Sequence, residues 1–83
     1  MDKRIGVVGI VIEDENGIDD VNATLHNYRE IIAGRMGLPY RERGCSVISL
    51  IVDADSDKIS ALTGTLGKIK GVSVKSAIQK TSK

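Results

Sequence analysis

The chain has 83 residues, a formal net charge of +1, one cysteine and neither phenylalanine nor tryptophan. This length suits one small domain whose core is marginal alone, and the near-neutral charge argues against a nucleic-acid-binding surface. The sequence shows no signal-peptide pattern and no apolar run of membrane-spanning length. We therefore expect a cytoplasmic protein without a direct nucleic-acid or membrane partner.

The first half of the chain predicts a strand, a helix and an irregular second strand. Lys3 to Ile12 has apolar side chains on both alternating faces, as in a central strand. The acidic turn Glu13–Gly17 follows, and a helix is predicted from Ile18 to Glu30 because apolar residues recur every three or four positions. The segment Ile31–Tyr40 contains two glycines and the only proline, which indicates an edge strand.

The second half repeats this pattern. After a polar turn at Arg41–Gly44, the strand Cys45–Asp53 is apolar on both faces. Asp53–Ser56 is predicted to be a turn, with Asp55 or Ser56 as the N-cap of a second helix. One apolar stripe on that helix consists of Ile59, Leu62, Leu66 and Ile69. Gly71 then marks its end, and alternation from Val72 to Ile78 predicts the last strand.

The order β-α-β-β-α-β predicts an α+β, ferredoxin-like fold, in which a four-stranded antiparallel sheet carries both helices on one face. The tail at about 79–83 is expected to fray. If even-numbered positions of the central strands face the helices, the other face carries five apolar residues: Ile5, Val7, Val11, Val47 and Ile51. A solvated sheet face would be polar, so we predict a homo-oligomer, a dimer or tetramer, packed sheet to sheet or edge to edge.

Candidates for catalysis and metal binding are few. The single histidine, His26, falls on the first helix, and the single cysteine, Cys45, begins a strand, so their spacing gives no nucleophile–base pair. We predict no catalytic residue, no cofactor and no enzymatic activity. One histidine and one cysteine cannot complete a tetrahedral metal site within one chain. Two chains together could supply two of each, which leaves a metal site between paired subunits as an alternative.

Two segments carry the binding candidates. The backbone amides of Gly17 and Ile18 could bind an anion at the start of the first helix, although the preceding acids would repel one. The second segment is rich in arginine, whose planar fork suits carboxylates, phosphates and protein interfaces. It provides four candidates for an interface or anion-binding role: Arg35, Tyr40, Arg41 and Arg43.

Three stretches resemble one protein family: KRIGVVGIVIED, AGRMGLPYRERG and SVISLIVDADSDKISALTGTLGKIKGVSVK. The family is that of the iron-only hydrogenase system regulators, and the resemblance covers nearly the whole chain. It implies a stand-alone ACT-like domain, similar to the C-terminal domain of nickel-responsive regulators, with oligomeric assembly and a sensing role. By analogy with ACT-like domains, a small effector would bind near the first strand–helix turn at a subunit interface, at Asn16 and Gly17.

The combined expectation is that residues 1–83 form a single ACT-like domain with a non-enzymatic regulatory function. The domain would bind a small effector or a partner protein at an oligomer interface. The alternative is a transition-metal-responsive sensor that uses His26 and Cys45 from paired subunits.

Overall fold

The structure is a computed structural model that describes residues 3–81. Its strands and helices are β1 (Lys3–Ile12), α1 (Ile18–Asn27), β2 (Ile32–Tyr40), β3 (Cys45–Asp55), α2 (Ser56–Gly67) and β4 (Val72–Ile78). The sheet order is β2-β3-β1-β4, and every neighbouring pair is antiparallel. The predicted ferredoxin-like α+β fold is therefore confirmed.

The core lies between the sheet and the two helices. Even-numbered positions of the central strands supply one side of it: Val8, Ile10, Ile12, Ile48, Leu50, Val52 and Ala54. The helices supply the other side with Val21, Leu25, Ile59, Leu62 and Leu66. Both helices therefore cover the same face of the sheet, and the alternation of apolar residues assigned that face correctly.

Three predicted boundaries are wrong. Helix α2 ends at Gly67, so Ile69 lies beyond the helix and Gly71 does not mark its end. Helix α1 ends at Asn27 rather than Glu30, because Tyr28 leaves the helical conformation (φ −107°, ψ 16°) and a short 3-10 turn leads into β2. Strand β3 continues through the predicted turn to Asp55, because Ala54 is 2% exposed and extends the row of buried even-numbered residues. The Asp55 side chain then accepts a hydrogen bond of 2.9 Å from the Lys58 amide and caps α2.

Strand β2 lies at the edge of the sheet, as its proline predicts. Pro39 pairs with Ser46, and a register shift lies between Ile32 and Gly34. An edge position leaves one side of the strand without a hydrogen-bonding neighbour, so the missing N–H of proline is tolerated there.

The segment after β4 is attached to β1 at its first residues. The Gln79 amide donates to the Ile5 carbonyl at 2.8 Å, and Gln79 Oε1 accepts from the Ile5 amide at 3.0 Å. Arg4 Nη1 also donates to the Lys80 carbonyl at 2.7 Å. Fraying was expected from about residue 79, and the last two residues of that tail, 82 and 83, lie outside the described residues. Within residues 3–81, neither helix has the length and apolarity needed to cross a membrane.

Candidate functional site

The sheet face opposite the helices, here called the open face, carries all seven large apolar side chains that are exposed among residues 3–81. They are Ile5, Val7, Met36, Leu38, Tyr40, Val47 and Ile51. Cross-strand partners lie on the same face of a sheet, and Val7 pairs with Ile51 while Leu38 pairs with Val47. The expectation that odd-numbered positions of the central strands turn away from the helices is confirmed.

Strand β2 widens this apolar surface beyond the sequence expectation. Met36 and Leu38 are 73% and 57% exposed and extend the open face past β3. The hairpin register, which pairs Tyr40 with Cys45, is the signal that could have identified them. On the other side of β1 the same face becomes polar, since Lys75 of β4 pairs with Gly9. The apolar patch is therefore centred on β3 rather than on the whole sheet.

At one end of the sheet, a cleft of about 420 Å³ lies between the start of α1 and the β2–β3 hairpin. This end cleft is lined by Ile12, Glu15, Ile18, Pro39, Arg41, Gly44, Cys45 and Ser46. It brings together Ile18 and Arg41, which are far apart in the sequence and were proposed as candidates for separate reasons. Its lining combines apolar side chains with one carboxylate and one guanidinium group, so it presents both signs of charge to a ligand.

The turn that precedes α1 does not offer the free backbone amides that the sequence suggested. The Asn16 amide donates to Asp14 Oδ1 at 3.0 Å, and the Gly17 amide donates to the Asp14 carbonyl at 2.8 Å. The Ile18 amide donates to the Glu15 carbonyl. The turn itself uses all three donors, so an anion would have to compete with these hydrogen bonds, and anion binding by the amides of Gly17 and Ile18 stays a prediction.

Asn16 and Gly17 also lie outside the lining of the end cleft. Asn16 is exposed, whereas Gly17 is buried against the segment between α2 and β4. A Cβ atom on Gly17 would lie 3.2 Å from the Lys70 carbonyl oxygen. This close approach gives Gly17 a packing role, and Ile18 is the one member of the predicted trio whose side chain reaches the cleft.

The four candidates of the arginine-rich segment separate into three places. Arg41 lines the end cleft, while Tyr40 and Arg43 line a second cleft of about 500 Å³ together with Val11, Glu13, Gly44 and Cys45. Gly44 and Cys45 line both clefts, so the hairpin forms a wall between them. The tight hairpin depends on Gly44, whose φ of 66° is in the left-handed region.

Arg35 belongs to a third cleft, of about 370 Å³, between α1 and the edge strand. This basic cleft is lined by Asn22, Leu25, His26, Arg29, Ile32 and Arg35. His26 and Cys45, the residues of the metal-sensor alternative, therefore line different clefts. Residues 3–81 hold no group of three or more histidine, cysteine, aspartate or glutamate side chains placed to bind a metal ion.

Comparison with known proteins gives one family match. The model of the TM1266-like family, described as "Iron-only hydrogenase system regulator, putative", matches residues 4–76. A solved structure, the uncharacterized protein TM1266 from Thermotoga maritima, is 42% identical to this chain with a TM-score of 0.90. The match covers 94% of this chain and 99% of that one. No curated protein matches this chain significantly.

Two more distant structures share the fold alone. A formyltetrahydrofolate deformylase from Pseudomonas putida KT2440 is 13% identical, with a TM-score of 0.63 over 88% of this chain and 28% of that one. A protein described as unknown from Galdieria sulphuraria is 16% identical, with a TM-score of 0.62 over 98% of this chain and 48% of that one. At these identities, the likeness shows a shared architecture rather than a shared activity.

Proposed function

Because this chain belongs to the TM1266-like family of iron-only hydrogenase system regulators, we propose that it is a non-enzymatic, ACT-like regulatory module of that system. The module works as a homo-oligomer and binds a small effector or a partner protein at the subunit interface. The open face is the observation that carries the proposal. Seven large apolar side chains exposed on one face mark a surface that another protein covers.

A second copy of the chain is the proposed occupant of the open face. The two longer dimensions of the molecule, 41 and 19 Å, set an upper limit on the order of 800 Å² for one whole side of it, of which the apolar patch is a part; a standard protein interface takes about 800 Å² from each partner. Burial of apolar surface stabilises an interface by roughly 25 cal/mol per Å² before the costs of association. A two-fold arrangement would also let each apolar patch cover the other, since such an interface uses the same surface twice.

Variants on the two sides of the sheet test this interface. Ile51→Glu places a carboxylate at the centre of the open face, where burial without a partner is unfavourable. We expect the dissociation constant of the oligomer, measured by sedimentation velocity, to rise at least about 100-fold, or about 2.7 kcal/mol. Ala61→Glu is the matched control, because Ala61 is exposed on α2. Equal effects of the two variants would contradict the assignment of the open face.

The end cleft is the proposed effector site. Arg41 provides fork-shaped donors for an anionic group, Glu15 can accept a hydrogen bond from a cationic group, and Ile12 and Ile18 contact an apolar part of the ligand. The end cleft adjoins the second cleft at the hairpin, because Gly44 and Cys45 line both, and Tyr40 of the open face lines the second cleft. A second copy seated on the open face would therefore reach the hairpin that shapes the effector site.

A thermal-shift screen of amino acids and other small carboxylates tests the effector site. A ligand present at about 100 times its Kd should add about 2.7 kcal/mol to the free energy of unfolding. For a domain of this size, that corresponds to an increase in Tm of about 10 °C or more. Arg41→Gln should remove the increase, whereas Arg35→Gln, in a different cleft, should keep it. A ligand whose effect survives Arg41→Gln would place the effector site elsewhere.

A further inference from the structure

The basic cleft between α1 and β2 shares no lining residue with the proposed effector site. Its polar lining consists of two arginines, a histidine and an asparagine, and it includes no carboxylate. Its volume of about 370 Å³ falls within the range of small-molecule sites. We propose that this cleft binds the phosphate group of a small phosphate monoester.

Each arginine of the cleft is held in place by one hydrogen bond within the protein, which occupies only one of its donors. Arg29 Nη1 donates to the His26 carbonyl at 2.9 Å, and Arg35 Nη2 donates to Asn22 Oδ1 at 3.1 Å. Neither guanidinium group forms an ion pair within residues 3–81, and this includes Arg29 and its sequence neighbour Glu30. Since a guanidinium group has five N–H donors, most donors of both arginines are available to a ligand.

Capping of helix α1 explains the position of Arg29 at the basic cleft but not that of Arg35. The Tyr28 amide already donates to the carbonyls of Thr24 and Leu25, at 3.1 and 3.2 Å. Arg29 contributes a single donor to the end of the helix, and Arg35, which belongs to the edge strand, contributes none. The hydrogen bond from Arg35 to Asn22 holds the second guanidinium group beside the helix. Two cationic groups from different elements are thus kept at one cleft.

A phosphate monoester fits this lining better than a simple carboxylate. Two guanidinium groups match a dianion, and each can donate two parallel hydrogen bonds to phosphate oxygens. The His26 imidazole adds an N–H donor, and the partly exposed Ile32 provides apolar surface for the organic part of the ester. None of these residues lines the end cleft, so the two proposals succeed or fail independently.

Isothermal titration of the 83-residue chain with phenyl phosphate tests the proposal, with benzoate as the monoanionic comparison. We expect one site per chain with a Kd of about 1 mM or tighter at low salt, and weaker binding of benzoate. Arg35→Gln and Arg29→Gln should each raise the Kd about tenfold, which corresponds to about 1.4 kcal/mol. Arg43→Gln, which removes an exposed arginine of the hairpin, should change the Kd by less than about twofold.

The proposal is overturned if phenyl phosphate gives no binding heat at a ligand concentration of about 10 mM, ten times the highest expected Kd. It is also overturned if Arg43→Gln weakens binding as much as the cleft variants do. Amide chemical-shift mapping on the unsubstituted protein gives a result that does not depend on the stability of any variant. Shifts concentrated at Asn22, His26 and Arg35 would support the basic cleft. Shifts concentrated at the hairpin Arg41–Arg43 would overturn it.

Discussion

Replacement of Gly71 by alanine should destabilise this protein much more than replacement of Gly44. Both glycines have φ angles in the left-handed region, 77° and 66°, where a Cβ atom is unfavourable. Their surroundings differ: a Cβ on Gly71 would lie 2.5 Å from the Cβ of Asp14, whereas a Cβ on Gly44 would meet no atom within 4 Å. Gly44→Ala therefore measures the conformational cost, and Gly71→Ala measures that cost together with a steric clash.

The structure sets the expected magnitudes. The left-handed conformation costs a residue with a Cβ about 1–2 kcal/mol, and an overpacked contact adds about 1–3 kcal/mol. Gly71→Ala should thus lower the free energy of unfolding by about 2–5 kcal/mol, against about 1–2 kcal/mol for Gly44→Ala. Relief of the clash would also displace the turn at Asp14, because the Glu13 amide donates to the Gly71 carbonyl at 2.7 Å.

Urea unfolding followed by circular dichroism at one fixed chain concentration measures both values, since oligomerisation makes stability depend on concentration. The difference between the two variants isolates the clash with Asp14. Stabilities that agree within about 0.5 kcal/mol would contradict the packing of the segment before β4 against the turn before α1. A Gly71→Ala variant as stable as the unsubstituted protein would contradict the left-handed turn as well.

Three further predictions concern the helices and the metal alternative. Asp55→Ala should lower the free energy of unfolding by about 0.5–2 kcal/mol in the same assay, because it removes the N-cap of α2; an unchanged value would contradict the cap. Gly64→Ala should raise it by about 0.5–1 kcal/mol, because Gly64 is an exposed helical residue with open space at its Cβ; destabilisation would indicate a contact there. Nickel, zinc or iron(II) should leave Tm unchanged, because His26 and Cys45 line different clefts. A metal-dependent increase that both His26→Ala and Cys45→Ser abolish would instead establish the sensor between paired subunits.

The sequence predicted the architecture because hydrophobic periodicity is a local signal. Alternation in Lys3–Ile12 and Cys45–Asp53 identified the two central strands and the face that meets the helices. The spacing of three or four residues between apolar side chains identified both helices and the side of each that packs on the sheet. Boundaries were less accurate, since the end of α1 depends on the conformation of Tyr28 and the end of β3 depends on the burial of Ala54.

The candidate site was harder to predict because it depends on contacts between distant segments. Nothing in the local pattern places Ile18 beside Arg41, since that proximity follows from the sheet order and the hairpin register. The separation of Arg35 from Arg41 and Arg43 arises from the same topology. The amides before α1 were proposed as anion donors because they lie at the start of a helix. Their hydrogen bonds within the turn depend on the Asp14 side chain and on the local backbone, which the sequence pattern does not reveal.

The proposed regulatory function depends most on a second copy of the chain that covers the open face. Light scattering coupled to size exclusion measures this directly, over chain concentrations that span about two orders of magnitude around the micromolar range typical of specific protein complexes. We expect a molar mass of two or more times the 8.9 kDa of the single chain and a decrease toward 8.9 kDa in Ile51→Glu. A mass of 8.9 kDa for the unsubstituted protein at every concentration would contradict it.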